Sequence, residues 1–277
     1  MATVSALYYY PVKGCAGVSV PAARCTPTGI VHDRSFMVVH ADDGTFLSQR
    51  KNPAMAVIRP TVRADGAGLS LGAPDFDEAE IDVSFDGDRR PVSLFGKWFG
   101  VGVDQGDTVA KWFSSVLDRP CRLVRVPPEH DRDGWGEHPG KVGFADAHAV
   151  LVTAESSLAE LNRRIRERGA APVPMNRFRP NIVVSGWPDP FTEDRVRLAR
   201  VGTVELGYAT RAVRCQVPTV DQETGRKAGP EPTRTLADFR RERELGGVSF
   251  GMKAGVLTPG DIAVGDEITV HRWQATD

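Results

Sequence analysis

The chain has 277 residues, of which 41% are hydrophobic and 26% charged, as in an ordinary globular protein of one large or two smaller domains. Its 35 Lys and Arg and 36 Asp and Glu give a formal net charge of -1, which excludes a general electrostatic attraction to nucleic acid or anionic membrane. No run of 18 apolar residues and no secretory signal pattern occurs, and the four cysteines stand far apart. We therefore expect a reduced, cytoplasmic protein with free thiols.

The first hundred residues are predicted to form short strands joined by tight turns. Stretches 3–12 (TVSALYYYPV) and 34–41 (RSFMVVHA) are rich in β-branched and aromatic residues, which favour strands. Stretches 40–48, 59–71 and 80–95 each carry an Asp-Gly pair between two apolar runs, which is the pattern of a β-hairpin. Pairs of short strands at this spacing are typical of a barrel or a sandwich.

Helix patterns begin after this strand-rich part. Residues 108–117 place apolar side chains on one helical face, with Asp107 as the expected N-terminal cap. A second helix is expected over 154–169, capped by Thr153, and a shorter one capped by Thr235.

The remaining segments are predicted to be strands and loops. The stretch 127–143 is polar, with Pro and Gly throughout, and is predicted to be a long loop of the kind that often carries function. The fold class expected is mainly β with a few helices (α+β). We expect two domains, 1–120 and 121–277, divided where strand-dominated sequence gives way to mixed sequence.

The stretch VRCQVPTVDQETG, 213–225, holds one cysteine with no second cysteine or histidine beside it. Cys215 could be a buried structural thiol, the nucleophile of a Cys-His pair, or a metal ligand whose partners come from a cofactor. Arg211 and Arg214 flank it, and positive charge favours the reactive thiolate. A zinc site is disfavoured because no cluster supplies three or four ligands.

Basic residues beside turns and strand ends form a second candidate site. Each alone is expected to be a surface charge, whereas several converging in space would bind a phosphate or a carboxylate. They are Lys13, Arg34, Arg50, Arg177, Arg179 and Arg214. His148 is either a core histidine or one that faces a ligand, and Asp221 and Thr219 are by default residues of a tight turn.

Taken in order, several stretches resemble the signatures of MOSC-domain proteins. They are YPVKGC at 10–15, HDRSFMVV at 32–39, RFRPNIVVSG at 177–186, RCQVPTVDQETG at 214–225 and FGMKAGVLTPGDIAVGDEI at 250–268. Within this family, the sequence resembles the mitochondrial amidoxime-reducing component and its bacterial relatives. The resemblance covers nearly the whole chain. It implies an N-terminal β-barrel-like MOSC_N domain packed on a β-barrel MOSC domain.

The same resemblance implies a molybdenum cofactor (Mo-molybdopterin) bound between the two domains. Cys215 would ligate molybdenum, because thiolate is a soft ligand, and Asp221 would orient substrate or pass protons. The cofactor-binding residues implied are Lys13, Gly14, Arg34, Arg50, Asp146, His148, Arg179, Asn181, Arg214 and Thr219. The activity implied is the reduction of N-hydroxylated or N-oxygenated small molecules by oxygen-atom transfer.

A separate electron-donor protein is expected, since the chain has no CxxxxCxxC segment for an iron–sulfur cluster. Neither nucleic acid nor a membrane is expected as a partner. Two positions depart from the family pattern: Gly14 stands where relatives often carry serine, and His148 stands where a smaller residue is usual. Two alternatives remain, a sulfur carrier with a persulfide on Cys215 and a module that only binds or stores the cofactor.

Overall fold

The computed structural model describes residues 1–275. Up to the first helix, the strands are β1 (Thr3–Tyr9), β2 (Val12–Lys13), β3 (Val18–Val20), β4 (Ala22–Thr26), β5 (Gly29–Ile30), β6 (Phe36–His40), β7 (Arg59–Val62), β8 (Gly68–Ala73), β9 (Phe76–Asp82), β10 (Arg89–Leu94) and β11 (Trp98–Asp104). They are followed by α1 (Asp107–Leu117), β12 (Cys121–Arg125), β13 (Val150–Ala154), α2 (Glu155–Glu167), β14 (Ile182–Ser185), β15 (Val196–Val201), β16 (Val204–Arg214), α3 (Thr233–Phe239), β17 (Arg241–Glu242), β18 (Gly247–Thr258), β19 (Gly260–Ala263) and β20 (Ile268–Trp273).

The strands form one large sheet and three smaller ones. The large sheet has the order β20-β15-β16-β18-β13-β14-β1-β3, with β17 paired to β18. The others have the orders β10-β11-β12-β6-β2, β19-β4-β5 and β7-β8-β9. The mainly-β prediction is confirmed. The predicted barrels are not seen as closed sheets in the described part of the chain, because no pairing joins the two outer strands of any sheet.

Strands from both ends of the chain pair in the same sheets. β1 pairs with β14, β19 pairs with β4, and β12 pairs with β6. The two predicted domains, 1–120 and 121–277, therefore share sheets, and the position of a boundary between them stays a prediction. The consequence for function is that one cleft can be lined from both parts of the chain.

The middle of the large sheet is buried, as its apolar sequence requires. All five residues of β13 are buried, and this strand lies between β18 and β14. Continuous apolar runs of this kind are expected where a strand is covered on both faces. α2 packs nearby through buried Leu161 and Ile165, in one cluster with Phe178 and Phe250. Within residues 1–275, no helix is long and apolar enough to cross a membrane.

Two of the three predicted hairpins are confirmed. In 40–48 the His40 N–H donates to Thr45 O at 2.9 Å, and in 59–71 β7 pairs with β8. The hairpin predicted over 80–95 is wrong. β9 pairs back onto β8 in one sheet and β10 pairs onward with β11 in another, so the turn between β9 and β10 joins two sheets.

The predicted helices form, but the predicted residues do not cap them. Asp107 is the first helical residue of α1, and its carboxylate binds Arg122. Thr153 lies inside β13, and Thr235 lies inside α3, where the Glu231 carboxylate accepts its N–H at 3.1 Å. The predicted caps are therefore wrong, because none of the three helices has a side-chain hydrogen bond at its N-cap residue.

Candidate functional site

A cleft lies where the large sheet meets the loops of both parts of the chain. The cleft is open to solvent and has a cavity volume of about 150 Å³. All the predicted site residues except Arg177, Thr219 and Asp221 line it. These residues are Lys13, Gly14, Arg34, Arg50, Asp146, His148, Arg179, Asn181, Arg214 and Cys215.

Cys215 is the exposed thiol of this cleft. It follows the end of β16, and the Val217 N–H lies 3.5 Å from its Sγ. The other three cysteines are buried, and burial raises the pKa of Cys15 to about 12. The alternative that Cys215 is a buried structural thiol is therefore wrong. Its neighbour Arg211 turns away, donating to the Glu242 carboxylate at 3.2 Å.

Lys13 and Asp146 form an ion pair on one wall of the cleft. Lys13 is only 7% exposed, and its Nζ lies 5.1 Å from the centre of the Phe46 ring. Burial lowers the pKa of Lys13, and Asp146 offsets part of this. The Asp146 carboxyl is partly desolvated although 57% of its side chain is exposed, and the Lys13 ammonium outweighs this effect and holds the pKa of Asp146 well below its usual range. Asp146 is therefore ionised at neutral pH.

Arg34 and Arg179 reach the cleft from strained backbone positions. Their φ angles are 48° and 56°, a region that residues with a Cβ rarely occupy and that is often found at functional sites. Their guanidinium carbons lie 4.4 Å and 4.2 Å from the centre of the Tyr10 ring. Burial lowers the pKa of Arg179 to about 10, so it stays charged. Two cations are thus concentrated around one aromatic ring.

The side chain of Asn181 is fully used by the protein. Its Oδ1 accepts from Arg34 Nη1 at 3.0 Å and from the Leu151 N–H at 3.1 Å. Its Nδ2 donates to Tyr8 O and to Asp33 Oδ1, each at 3.1 Å. An asparagine amide has two donors and two acceptor lone pairs, so no capacity is left for a ligand. Asn181 lies at the cleft and holds its wall together, and its predicted cofactor contact stays a prediction.

Arg214 and His148 carry buried polar atoms without a protein partner. Arg214 donates from Nη2 to Phe178 O at 2.8 Å, while its Nε has no partner in the described residues. His148 Nε2 lies 2.8 Å from Trp135 O, which can only accept, so Nε2 carries the proton. Burial and the charge of Lys253 lower the pKa of His148 to about 4. Its Nδ1 therefore carries no proton and can accept a hydrogen bond. Like Arg214 Nε, this atom has no partner within residues 1–275.

Gly14 and Arg50 lie at the edge of the cleft. Gly14 has φ of 86°, and a Cβ there would come within 3.1 Å of the Met55 side chain, so the position favours glycine. The Arg50 guanidinium lies 4.4 Å from the centre of the Phe95 ring. Arg50 is thus placed to approach a ligand from the cleft mouth.

Asp221 and Thr219 do not line the cleft. The Asp221 carboxylate accepts from the N–H groups of Glu223 and Thr224 at 3.0 Å and 2.9 Å, and from Arg177 Nη2 at 3.0 Å. Thr219 Oγ1 donates to Gln216 O at 2.8 Å. These are the contacts of an ordinary turn. The catalytic role predicted for Asp221 and the cofactor contact predicted for Thr219 therefore have no geometric support.

Sequence reasoning missed several residues of the cleft. Lys253 lies in β18, where every other residue from 248 to 256 is buried, and a lone charge in such a run was the available signal. Gln49 was missed as well. Its Nε2 donates to Gly14 O at 3.0 Å and to Gln222 Oε1 at 3.2 Å, which ties the N-terminal part to the loop after Cys215. An uncharged bridge of this kind has no signature in sequence.

The donor set of the cleft fits an anionic cofactor that brings its own metal ligands. Within residues 1–275, no group of three or more His, Cys, Asp or Glu could hold a metal ion. A metal at Cys215 would thus take its other ligands from the cofactor. The lining holds six cationic side chains and one carboxylate, Asp146, and the unpartnered Arg214 Nε and His148 Nδ1 can meet an acceptor and a donor.

Comparison with known proteins gives the following matches. The family description MOSC N-terminal beta barrel domain matches residues 1–120, and the description MOSC domain matches residues 139–269. Mitochondrial amidoxime-reducing component 1 of Homo sapiens is 32% identical over 284 residues, covering 96% of this chain and 82% of that protein. Mitochondrial amidoxime reducing component 2 of Bos taurus is 33% identical over 286 residues, with the same coverage. Molybdenum cofactor sulfurase of Oryza sativa subsp. japonica is 30% identical over 289 residues, which is 98% of this chain but 34% of that protein.

Proposed function

The chain belongs to the family of MOSC-domain proteins, and from this we propose that it is a molybdenum-cofactor enzyme that reduces N-oxygenated small molecules. Relatives named as amidoxime-reducing components match 96% of the chain, which favours a reductase. The single observation that carries the proposal is the exposed thiol of Cys215 on the wall of a cleft lined by cations. A soft thiolate in such a place suits molybdenum held by an anionic cofactor.

Each group of residues has a part in the proposed mechanism. Cys215 would ligate the metal, and the Val217 N–H lies 3.5 Å from its sulfur. Arg34, Arg179 and Arg214 would hold the cofactor's phosphate and polar edges, because guanidinium groups bind anions through paired donors. When bound, the molybdenum cofactor supplies the two-electron removal of an oxygen atom from a substrate nitrogen.

The remaining residues shape the space beside the metal. His148 is neutral, so its Nδ1 accepts a hydrogen bond from the cofactor or the substrate rather than adding charge. Phe46 and Phe95 make part of the lining apolar, which excludes water and admits an organic substrate. A separate electron-donor protein completes the cycle in this proposal. The cytoplasmic location stays a prediction.

A sulfur-carrier function is the second candidate, and one observation favours it. Cys215 is exposed, as a persulfide carrier must be, and a molybdenum cofactor sulfurase is among the relatives. The two candidates differ in what becomes attached to the thiol. After incubation with a sulfur donor and no molybdenum, mass spectrometry of the Cys215 peptide would show an added sulfur atom for the carrier and an unmodified thiol for the reductase.

The direct test of the reductase is a turnover assay with a chemical reductant, which removes the need for the donor protein. Protein made in cells with a complete cofactor pathway should convert an amidoxime to the amidine. Cys215→Ala should abolish this conversion, and Cys121→Ala, which removes a buried thiol outside the cleft, should retain it. Equal rates in Cys215→Ala and the unmodified protein would overturn the proposal.

A further inference from the structure

Lys253 is the one charged side chain in the buried part of β18. Its backbone pairs with Leu151 of β13 and Thr210 of β16, so it is placed in the middle of the large sheet. The side chain is half-buried and lines the cleft. The charged groups that act on it are Asp146, Arg214, Lys13 and Cys215, all of which line the same cleft.

Lys253 is also the cation of the cleft that lacks a partner. Within residues 1–275 its Nζ has no hydrogen-bond acceptor, no carboxylate oxygen within 4.0 Å and no aromatic ring beneath it. The other five cations each have one. Lys13 and Arg34 form ion pairs, Arg179 and Arg214 donate to side-chain and carbonyl oxygens, and Arg50 stacks on an aromatic ring.

The Lys253 side chain is partly buried but its Nζ keeps access to solvent, so an anionic ligand in the cleft can replace water as the partner of the ammonium. Burial lowers the pKa of Lys253, and Asp146 offsets only part of this effect from beyond salt-bridge distance. An anionic oxygen brought into the cleft would supply the Lys253 ammonium with a partner. Mutual repulsion among Lys253, Arg214 and Lys13 would fall at the same time.

We propose that Lys253 is an anion-binding residue of the cleft, which takes a phosphate or carboxylate oxygen of the bound ligand beside Cys215. The proposal rests on the proposed function for the identity of that ligand. The oxygen can belong to the phosphate of the cofactor or to an acidic group of the substrate. In the second case the enzyme selects N-oxygenated substrates that carry a negative charge.

Three variants separate charge from structure. Lys253→Met removes the ammonium and keeps an unbranched apolar chain that a buried strand accepts, and Lys253→Arg keeps the charge. Lys51→Met is the matched control, because it removes one exposed lysine outside the cleft with the same change in net charge. If ligand binding weakens in Lys253→Met and recovers in Lys253→Arg, the charge of the side chain is responsible rather than a change in the fold.

Two arms of the experiment distinguish the sources of the anion. The first measures molybdenum and pterin per chain in protein made with the cofactor pathway. The second measures KM for an aryl amidoxime and for the same amidoxime bearing a carboxylate. A charge-assisted hydrogen bond is worth about a ten- to hundredfold change in affinity. A lower molybdenum and pterin content in Lys253→Met identifies the cofactor's phosphate as the anion. A higher KM for the acidic substrate alone identifies an anionic group of the substrate.

The proposal is overturned if Lys253→Met matches the unmodified protein in both arms. Failure of the proposed function gives a different pattern, in which no variant acquires molybdenum or reduces either amidoxime. Calorimetric titration of inorganic phosphate into the full chain then decides about Lys253 alone. Weaker phosphate binding by about tenfold in Lys253→Met would support its role, and unchanged binding would overturn it.

Discussion

Replacing Asn181 should destabilise the protein more than any other single change of a polar side chain at the cleft. Its amide makes four hydrogen bonds that tie three other segments to its own: β1 at Tyr8, the turn at Asp33 and Arg34, and β13 at Leu151. The residue is 1% exposed, so water cannot replace these contacts. Asn181→Ala removes all four and leaves the buried Leu151 N–H and Tyr8 O without those partners.

The expected magnitude follows from the number of bonds. A buried hydrogen bond contributes about 1 kcal/mol net, and bonds to charged groups, here Arg34 and Asp33, contribute more. We therefore expect Asn181→Ala to lower the free energy of unfolding by about 4 kcal/mol. Since single domains are stable by only about 5 to 15 kcal/mol, this is a large share of the total.

Urea denaturation followed by tryptophan fluorescence measures this change. Asn162→Ala is the matched control, because the Asn162 amide makes two bonds, both to Val173, away from the cleft. It should cost about half as much as Asn181→Ala. A loss below about 1 kcal/mol in Asn181→Ala, or one equal to the control, would refute the assignment of Asn181 as the residue that holds the cleft wall together.

Two further changes test the assignments of Asp221 and His148. Asp221→Asn should keep its molybdenum and lose less than about tenfold in kcat/KM, because Asp221 lies outside the cleft; a loss beyond about a hundredfold would restore its catalytic role. The His148 pKa of about 4, against 6.5 in the unfolded chain, means that the unfolded state binds more protons between these values. The free energy of unfolding should therefore fall by up to about 1.4 kcal/mol per pH unit below about pH 6.5. Urea titrations at about pH 7 and about pH 5 should show a smaller loss of stability in His148→Phe than in the unmodified protein. Equal slopes in the two proteins would contradict the assignment.

The parts of the fold that depend on local pattern could be predicted from the sequence. α1 and α2 form where apolar side chains recur on one helical face, and the Asp-Gly turns at 40–48 and 59–71 form hairpins. Which strands pair across long separations could not be predicted. The pairing of β1 with β14 and of β19 with β4 depends on packing between distant segments, which carry no mark of their partner.

The site shows the same division. The resemblance to a family gathered the residues that line the cleft, but it could not tell a ligand contact from a support. Asn181 has every donor and acceptor occupied, and Asp221 is held in its turn by Arg177, and both facts depend on side-chain geometry. Lys253 shows the reverse case, since its missing partner becomes visible only when the neighbours of its ammonium are known.

The central claim is that Cys215 holds a molybdenum cofactor in this cleft. The most direct test is the molybdenum and pterin content of purified protein made with a complete cofactor pathway, compared with Cys215→Ala. The account predicts about one molybdenum per chain in the unmodified protein, and a loss of the metal or an altered metal spectrum in the variant. Full molybdenum content and an unchanged spectrum in Cys215→Ala would show that the basic residues alone retain the cofactor, which would contradict the role assigned to the thiolate.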